Sequence, residues 1–122
     1  VEPALPAGRP LVLYDYPAAL PTLAKRKAGS PWAERWELYL AGVELANCYS
    51  ESTEASAIEA FFSGQELAKR RAREPHRIDW PLARQLQESL PACSGVALGM
   101  DRLLMVLLDR ELVGEVNAFA SS

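Results

Sequence analysis

The chain has 122 residues, of which 49% are apolar and 24% charged, as in soluble globular domains. Its formal net charge of −3 excludes the basic surface of a dedicated nucleic-acid-binding domain. No apolar run reaches membrane-spanning length, and no charged-then-apolar leader opens the chain, so we expect neither a membrane span nor a secretory signal. The two distant cysteines, Cys48 and Cys93, predict buried free thiols in a reducing cytoplasm rather than a disulfide or a zinc site.

The chain opens with a proline-rich lead-in over 1–10, which predicts irregular structure. The apolar run over 11–15 predicts a short buried strand that ends at Pro17. The basic cluster over 25–27 is interpreted as a solvated turn.

Alternating residues from Trp36 to Leu40 predict a half-buried strand, and Ala41-Gly42 is a plausible two-residue hairpin loop. Closing the hairpin there puts Glu37 and Glu44 on one face as diagonal cross-strand neighbours. The opposite face is expected to be core, and it carries Trp36, Leu38, Leu40, Val43 and Leu45.

Two like charges at diagonal distance repel each other unless a cation compensates them. Glu37 and Glu44 could pair separately with Arg35 or another base, or simply be solvated. They could instead hold a divalent metal, because hard oxygen ligands suit Mg²⁺ at nucleotide phosphates. The residue pattern leaves both interpretations open.

Farther along the second strand, strict alternation would place Asn47, Tyr49 and Glu51 on the core face. Burying an amide and a carboxylate there would be costly. A bulge near Ala46 would move all three to the face of the two glutamates. Tyr49 could equally be an ordinary packed aromatic residue.

The middle of the chain predicts two helices. The first has a hydroxyl N-cap and an early acid at 52–54, and its apolar stripe is Ile58, Phe61, Phe62 and Ala68. Its basic end over 69–73 is interpreted as a solvated helix C-terminus rather than an RNA patch. Pro75 stops this helix, and His76 is expected in a surface loop. The second helix runs from Trp80 to Leu90, with Pro81 in its first turn and an apolar stripe of Leu82, Leu86 and Leu90.

The run CSGVALGMDR over 93–102 predicts a short strand that passes directly into a helix. Gly95, Ala97 and Gly99 occupy alternate positions, so one strand face is nearly bare and a flat ligand could lie against it. Arg102 falls in the first helical turn, and its guanidinium fork suits a phosphate. The apolar run over 103–108 predicts a buried helix.

This run resembles motif 3 of the class II aminoacyl-tRNA synthetases, with Ala97 at the middle glycine. The upstream run ERWELYLAGVELANCYSE over 34–51 resembles the lysyl branch of that class. Two motifs in the right order are more specific than either alone. Within that branch, PACSGVALG over 91–99 is most similar to the lysyl-tRNA synthetase paralogues that modify elongation factor P.

The resemblance implies an α+β fold, with an antiparallel sheet and flanking helices. It implies ATP and Mg²⁺ as cofactors, with Glu37 and Glu44 as metal ligands and Arg102 as the catalytic residue at the γ-phosphate end. The floor under adenosine and substrate would be Gly95, Ala97 and Gly99. Three residues would bind the lysine: Asn47, Tyr49 and Glu51, of which Glu51 meets the ε-ammonium.

The resemblance also leads us to expect that residues 1–122 form the C-terminal portion of a catalytic domain, with motif 3 at 95–102 and motifs 1 and 2 absent. We expect such a portion to be inactive alone and to self-associate as a homo-oligomer. The implied activity is an ATP-dependent lysyl ligase that uses lysine or β-lysine, with elongation factor P as acceptor. The alternatives are an ordinary lysyl-tRNA synthetase, with tRNA as acceptor, and a non-catalytic nucleotide-binding module.

Overall fold

The computed structural model describes residues 5–73 and 77–119, and it confirms the predicted α+β class. In this part of the chain an antiparallel sheet contains four strands, paired in chain order: β1 (Leu11–Pro17), β2 (Trp32–Leu40), β3 (Val43–Ser50) and β4 (Ser94–Leu98). The three described helices are α1 (Ala55–Arg70), α2 (Trp80–Ser89) and α3 (Met100–Leu107), and a 3₁₀ turn follows at Val113–Glu115. The predictions for Pro75 and His76 lie outside the described residues.

The described chain divides into two compact units, and each strand contributes residues to both. The hairpin unit comprises residues 5–15, 35–48 and 96–119, and so contains the β2–β3 turn and α3. The helical unit comprises residues 16–34, 49–73 and 77–95, and so contains α1 and α2. Each unit is described below by itself.

The β2–β3 hairpin closes through the predicted two-residue loop. Ala41 has a φ of 51° and Gly42 a φ of 76°. Positive φ at both central residues is the type I′ geometry, whose twist matches that of the flanking strands. Glycine adopts this conformation without a steric penalty, whereas the Cβ of alanine meets the neighbouring carbonyl oxygen. The hairpin therefore keeps its register with one strained residue in its turn.

The prediction of the hairpin's core face is wrong for β2. Trp36, Leu38 and Leu40 are only half-buried, whereas Glu37 and Tyr39 are buried. Alternation in the sequence determines which residues share a face, but it does not determine which face is covered. The covered face carries a carboxylate because that carboxylate has hydrogen-bond partners, which removes most of the cost of its burial.

Burial also departs from prediction in the outer elements of the hairpin unit. Strand β1 forms as predicted but is half-buried rather than buried. Helix α3, which was expected to be buried on every side, has Met105 as its buried residue, while Leu107 is 69% and Leu108 is 54% exposed. Cys93, in the helical unit, is an exposed thiol, whereas Cys48 is buried as predicted. The expected homo-oligomer stays a prediction, and the exposed apolar side of α3 is compatible with it.

The helical unit has an apolar core between α1 and α2. Ile58, Phe62 and Ala83 are buried at its centre, and the ring of Phe62 lies 6.2 Å from that of Trp80. Helix α2 begins as predicted, with Pro81 in its first turn, and the Asp79 side chain accepts a hydrogen bond from the Leu82 backbone N–H at 3.0 Å. The amphipathic stripes of both helices therefore meet.

The predicted apolar stripes and cap are wrong in detail. Ala68 and Leu82 are exposed, and the small residue Ala83 takes the buried position on α2. The N-cap of α1 is Glu54, which makes no side-chain capping bond. Ser52 lies before the helix, where its backbone N–H donates to the Leu23 carbonyl.

Substituting Ala41 by glycine is expected to stabilise the protein by about 1 kcal/mol, because a left-handed conformation costs a non-glycine residue about that much. Chemical denaturation of the Ala41→Gly variant measures the change. The matched control is Gly42→Ala, which places a Cβ at a φ of 76° and is expected to destabilise the protein. A destabilised Ala41→Gly variant would contradict the strain in this turn.

Candidate functional site

Arg102, in the first turn of α3, binds the hairpin through two hydrogen bonds to one residue. Its Nη1 donates to the backbone carbonyl of Glu44 at 3.1 Å and to the Glu44 carboxylate at 3.3 Å. The Arg102 side chain is 51% exposed and that of Glu44 is 29% exposed, so both groups remain accessible to a ligand. The structure thus brings together two residues that the sequence assigned to phosphate and to metal.

Gly99 lies at the start of α3, where its backbone N–H donates to the Leu45 carbonyl at 2.8 Å. A Cβ at Gly99 would meet Arg102 and the Leu45 carbonyl at 3.5–3.6 Å, which is ordinary van der Waals contact. The backbone of Gly99 is not in the left-handed region either. The packing of this unit therefore does not require a glycine at position 99. The absence of a side chain there would leave space for a ligand.

Glu37 accepts hydrogen bonds from two residues of its own strand, Arg35 and Tyr39. Its carboxylate accepts hydrogen bonds from Nη2 of Arg35 and, at 2.7 Å, from the hydroxyl of Tyr39. Each of the two glutamates therefore pairs with an arginine of its own, which is one of the two interpretations that the sequence left open.

The donor chemistry of Glu37 and Glu44 still suits a hard divalent cation. Mg²⁺ is typically bound by one or two carboxylates, with phosphate oxygens and waters as the remaining ligands. Residues 5–73 and 77–119 contain no group of three or more His, Cys, Asp or Glu side chains that could hold a metal.

Asn47, on β3, contains a buried polar atom that has no hydrogen-bond partner within residues 5–73 and 77–119. Its side-chain oxygen, Oδ1, accepts no hydrogen bond from the part of the chain that the structure describes. An unsatisfied buried acceptor costs about 1–3 kcal/mol, so such groups need a reason. A ligand with an N–H donor would satisfy it. The bulge predicted near Ala46 stays a prediction, although Leu45 and Ala46 are buried in succession.

Glu51 lines a cleft of about 250 Å³ within the helical unit. Its backbone is anchored on both sides, because Glu51 forms a bridge with Ala24 and its N–H donates to the Cys93 carbonyl at 2.9 Å. The lining of this cleft is mostly polar: Lys25, Glu34, Ser50, Glu51, Thr53, Ala92, Cys93 and Ser94. Lys25 is the basic residue of this lining, and its Nζ lies 4.0 Å from Oε1 of Glu34.

Burial raises the pKa of the Glu51 carboxyl above its ordinary value of 4.5. Desolvation acts in this direction because it disfavours the charged form. A cationic ligand in the cleft would act in the opposite direction, since a nearby positive charge favours the carboxylate. The site is therefore poised to gain electrostatic energy when an ammonium group binds.

Gly95 lies directly against Glu51. A Cβ built on Gly95 would come 3.5 Å from Oε1 of Glu51, so a larger side chain would reach the carboxylate. Ala97 lies on β4, whose residues are all exposed, and Tyr49 is half-buried on β3. The roles of Ala97 and Tyr49 stay predictions.

Comparison with protein families gives one match over almost the whole chain. Residues 6–122 match the family described as tRNA synthetases class II (D, K and N). The chain belongs to this family. The family match supports an aminoacylation-type ligase activity. It confirms the predicted class II synthetase family.

Membership in the class II synthetases agrees with the antiparallel sheet and with the position of the motif 3 residues on β4 and α3. The aminoacyl-tRNA synthetases of this class act on amino acids and tRNA. None of the helices in residues 5–73 and 77–119 is long and apolar enough to span a membrane.

Two features of this synthetase domain were not predicted from the sequence. The first is the bond from Tyr39 to Glu37, for which the signal was the alternation of residues 35, 37 and 39, which places three polar groups on one strand face. The second is the presence of Lys25 and Glu34 in the cleft of Glu51. No local pattern brings these three residues together, because they come from separate segments.

The raised pKa of Glu51 predicts a pH-dependent gain in stability for Glu51→Gln. The folded state binds a proton more tightly than the unfolded state, so the wild-type protein loses stability as the pH rises from 4.5 through the raised value. The variant lacks this loss and is expected to have the higher Tm at pH 7, with the difference shrinking at pH 4. Thermal melts at both pH values test this, with the exposed Glu59→Gln as control. A constant difference at both pH values would contradict it.

Proposed function

We propose that this class II synthetase domain serves a lysine-specific ligase that forms a lysyl adenylate from ATP. The observation that carries the proposal is the Glu51 cleft: a partly desolvated carboxylate, with a raised pKa, lies against Gly95. A lysine-type side chain ends in an ammonium group, which is the complement of such a carboxylate. An uncharged amino acid would leave the carboxylate without compensation.

In this proposal Asn47 supplies the second contact to the amino acid. Its unpartnered Oδ1 is an acceptor, so it suits an N–H donor of the substrate near the carboxyl end. Tyr49 is proposed to contact the aliphatic stem of the lysine. These assignments follow the motif resemblance, and the orphaned acceptor of Asn47 supports them.

At the nucleotide, Arg102 is proposed to bind the γ-phosphate end of ATP through its exposed guanidinium. Glu37 and Glu44 would hold Mg²⁺, which neutralises phosphate charge when it is bound. The small residues Gly95, Ala97 and Gly99 would leave room for adenosine and the amino acid. Catalysis by these groups is positioning and charge stabilisation during displacement at the α-phosphate.

Lysine binding is expected to depend on Glu51, and norleucine provides the comparison because it lacks only the ε-amine. Glu51→Gln should weaken lysine binding about 10–100-fold, the usual value of a hydrogen bond to a charged group, and leave norleucine binding unchanged. Isothermal calorimetry in the presence of ATP and Mg²⁺ measures both. Glu59→Gln is the control, since this residue lies on the exposed face of α1. Equal losses for lysine and norleucine would contradict recognition of the ε-ammonium.

We further propose a protein lysine on elongation factor P as the acceptor, rather than tRNA. Ala97 supports this choice, since it stands where the ordinary lysyl enzymes carry glycine. The net charge of −3 also gives no general attraction for RNA. The test incubates the protein that contains this sequence with ATP, labelled lysine or β-lysine, and both acceptors together. Label that enters tRNA alone would overturn it.

The methyl group of Ala97 is expected to select between lysine isomers. It shares a strand face with Gly95 and Gly99, so it would crowd an α-amino group but not an amine one carbon farther along. Ala97→Gly should raise kcat/KM for α-lysine relative to β-lysine by about 10–200-fold. The measurement uses adenylate formation by the protein that contains this sequence. An unchanged ratio between the isomers would remove Ala97 from the specificity residues.

A further inference from the structure

Glu37 belongs to a buried polar group on β2. Arg35, Glu37 and Tyr39 occupy alternate positions of this strand. The carboxylate of Glu37 accepts from Arg35 at Oε1 and from the Tyr39 hydroxyl at Oε2. Glu37 is 7% and Tyr39 is 3% exposed, so these contacts are shielded from solvent. The two carboxylate oxygens are thus held by two different donors, which fixes the plane of the carboxylate.

We propose that Arg35 and Tyr39 are positioning residues that hold the Glu37 carboxylate in the orientation required for metal binding. This inference rests on the proposed metal role of Glu37 and Glu44. It adds two residues that touch neither nucleotide nor amino acid in that proposal. Their effect reaches the metal through the Glu37 carboxylate.

The bonds from Arg35 and Tyr39 lie on different oxygens of the Glu37 carboxylate, so together they hold it in one orientation. Groups that orient metal ligands in this way typically change metal affinity 10–100-fold when they are removed.

Glu44 differs from Glu37 in its burial and in its hydrogen-bond partner. It is more exposed, and its arginine partner is Arg102, which is half-exposed and has a proposed role at the nucleotide. Glu44 can therefore exchange its partner when a nucleotide binds. The rigid ligand is Glu37, and the adjustable one is Glu44.

The test is a titration of the full chain with Mn²⁺ in the presence of ATP, followed by electron paramagnetic resonance of the free ion. Tyr39→Phe keeps the ring and removes the hydroxyl, and it is expected to weaken Mn²⁺ binding about 10–100-fold. Tyr14→Phe is the matched control, since Tyr14 is 72% exposed on β1. Arg35→Lys is a second variant that keeps the charge but not the guanidinium geometry. Thermal melts accompany each titration.

A loss of Mn²⁺ affinity in Tyr39→Phe or Arg35→Lys, in folded protein and beyond that of Tyr14→Phe, supports the inference. Wild-type affinity in both variants, with or without a lower Tm, overturns it and leaves Tyr39 a structural residue. Glu44→Gln separates the inference from its premise. If Glu44→Gln binds Mn²⁺ as well as the wild-type chain does, or the wild-type chain binds none, the metal role itself is wrong, and the inference is overturned with it.

Discussion

The hydrogen bonds of Arg102 to Glu44 are the long-range contact that brings the candidate phosphate and metal residues of the hairpin unit together. This contact joins the first turn of α3 to β3, two segments separated by 58 residues in the chain. The guanidinium reaches both the backbone carbonyl and the carboxylate of Glu44, and the backbone bond from Gly99 to Leu45 lies beside it. An exposed ion pair alone contributes little to stability. Its combination with a strand-to-helix backbone bond orients Arg102 for a ligand.

The main feature of the helical unit is the partly desolvated Glu51 carboxylate in its cleft. Glu51 follows the end of β3, and its backbone is fixed on both sides by bonds to Ala24 and Cys93. This anchoring fixes the backbone of Glu51 beside the cleft. Burial raises the pKa of the Glu51 carboxyl, and a nearby ammonium group would act in the opposite direction.

Much of this structure could be predicted from local sequence, because the relevant signals are local. The two-residue turn at Ala41-Gly42, the proline start of α2 and the passage from β4 into α3 each depend on a few neighbouring residues. Burial could not be predicted in the same way. Helix α3 is apolar all round and yet exposed at Leu107, because exposure depends on which distant segments pack against a helix.

The candidate site shows the same division. Alternation correctly placed Glu37 opposite the apolar side chains of β2, and the motif 3 spacing placed Arg102 in the first turn of α3. The partners of these groups were not predictable from pattern, since Glu44 and Arg102 meet only after the chain has folded. Nor could the pattern reveal that Asn47 would keep an unpartnered acceptor, because satisfaction of a polar atom depends on the whole shell around it.

The exchange of faces on β2 connects these observations. Strand β2 buries Tyr39 and Glu37 and leaves Trp36 half-exposed. Its covered face therefore buries less apolar surface than its opposite face would. Buried charge pairs seldom improve stability over well-packed apolar residues, so stability alone does not account for Arg35 and Glu37 at these positions. A requirement for a carboxylate held in one orientation would account for them, since an apolar replacement would lose the bonds of Arg35 and Tyr39 to Glu37. The proposed metal role of Glu37 contains such a requirement.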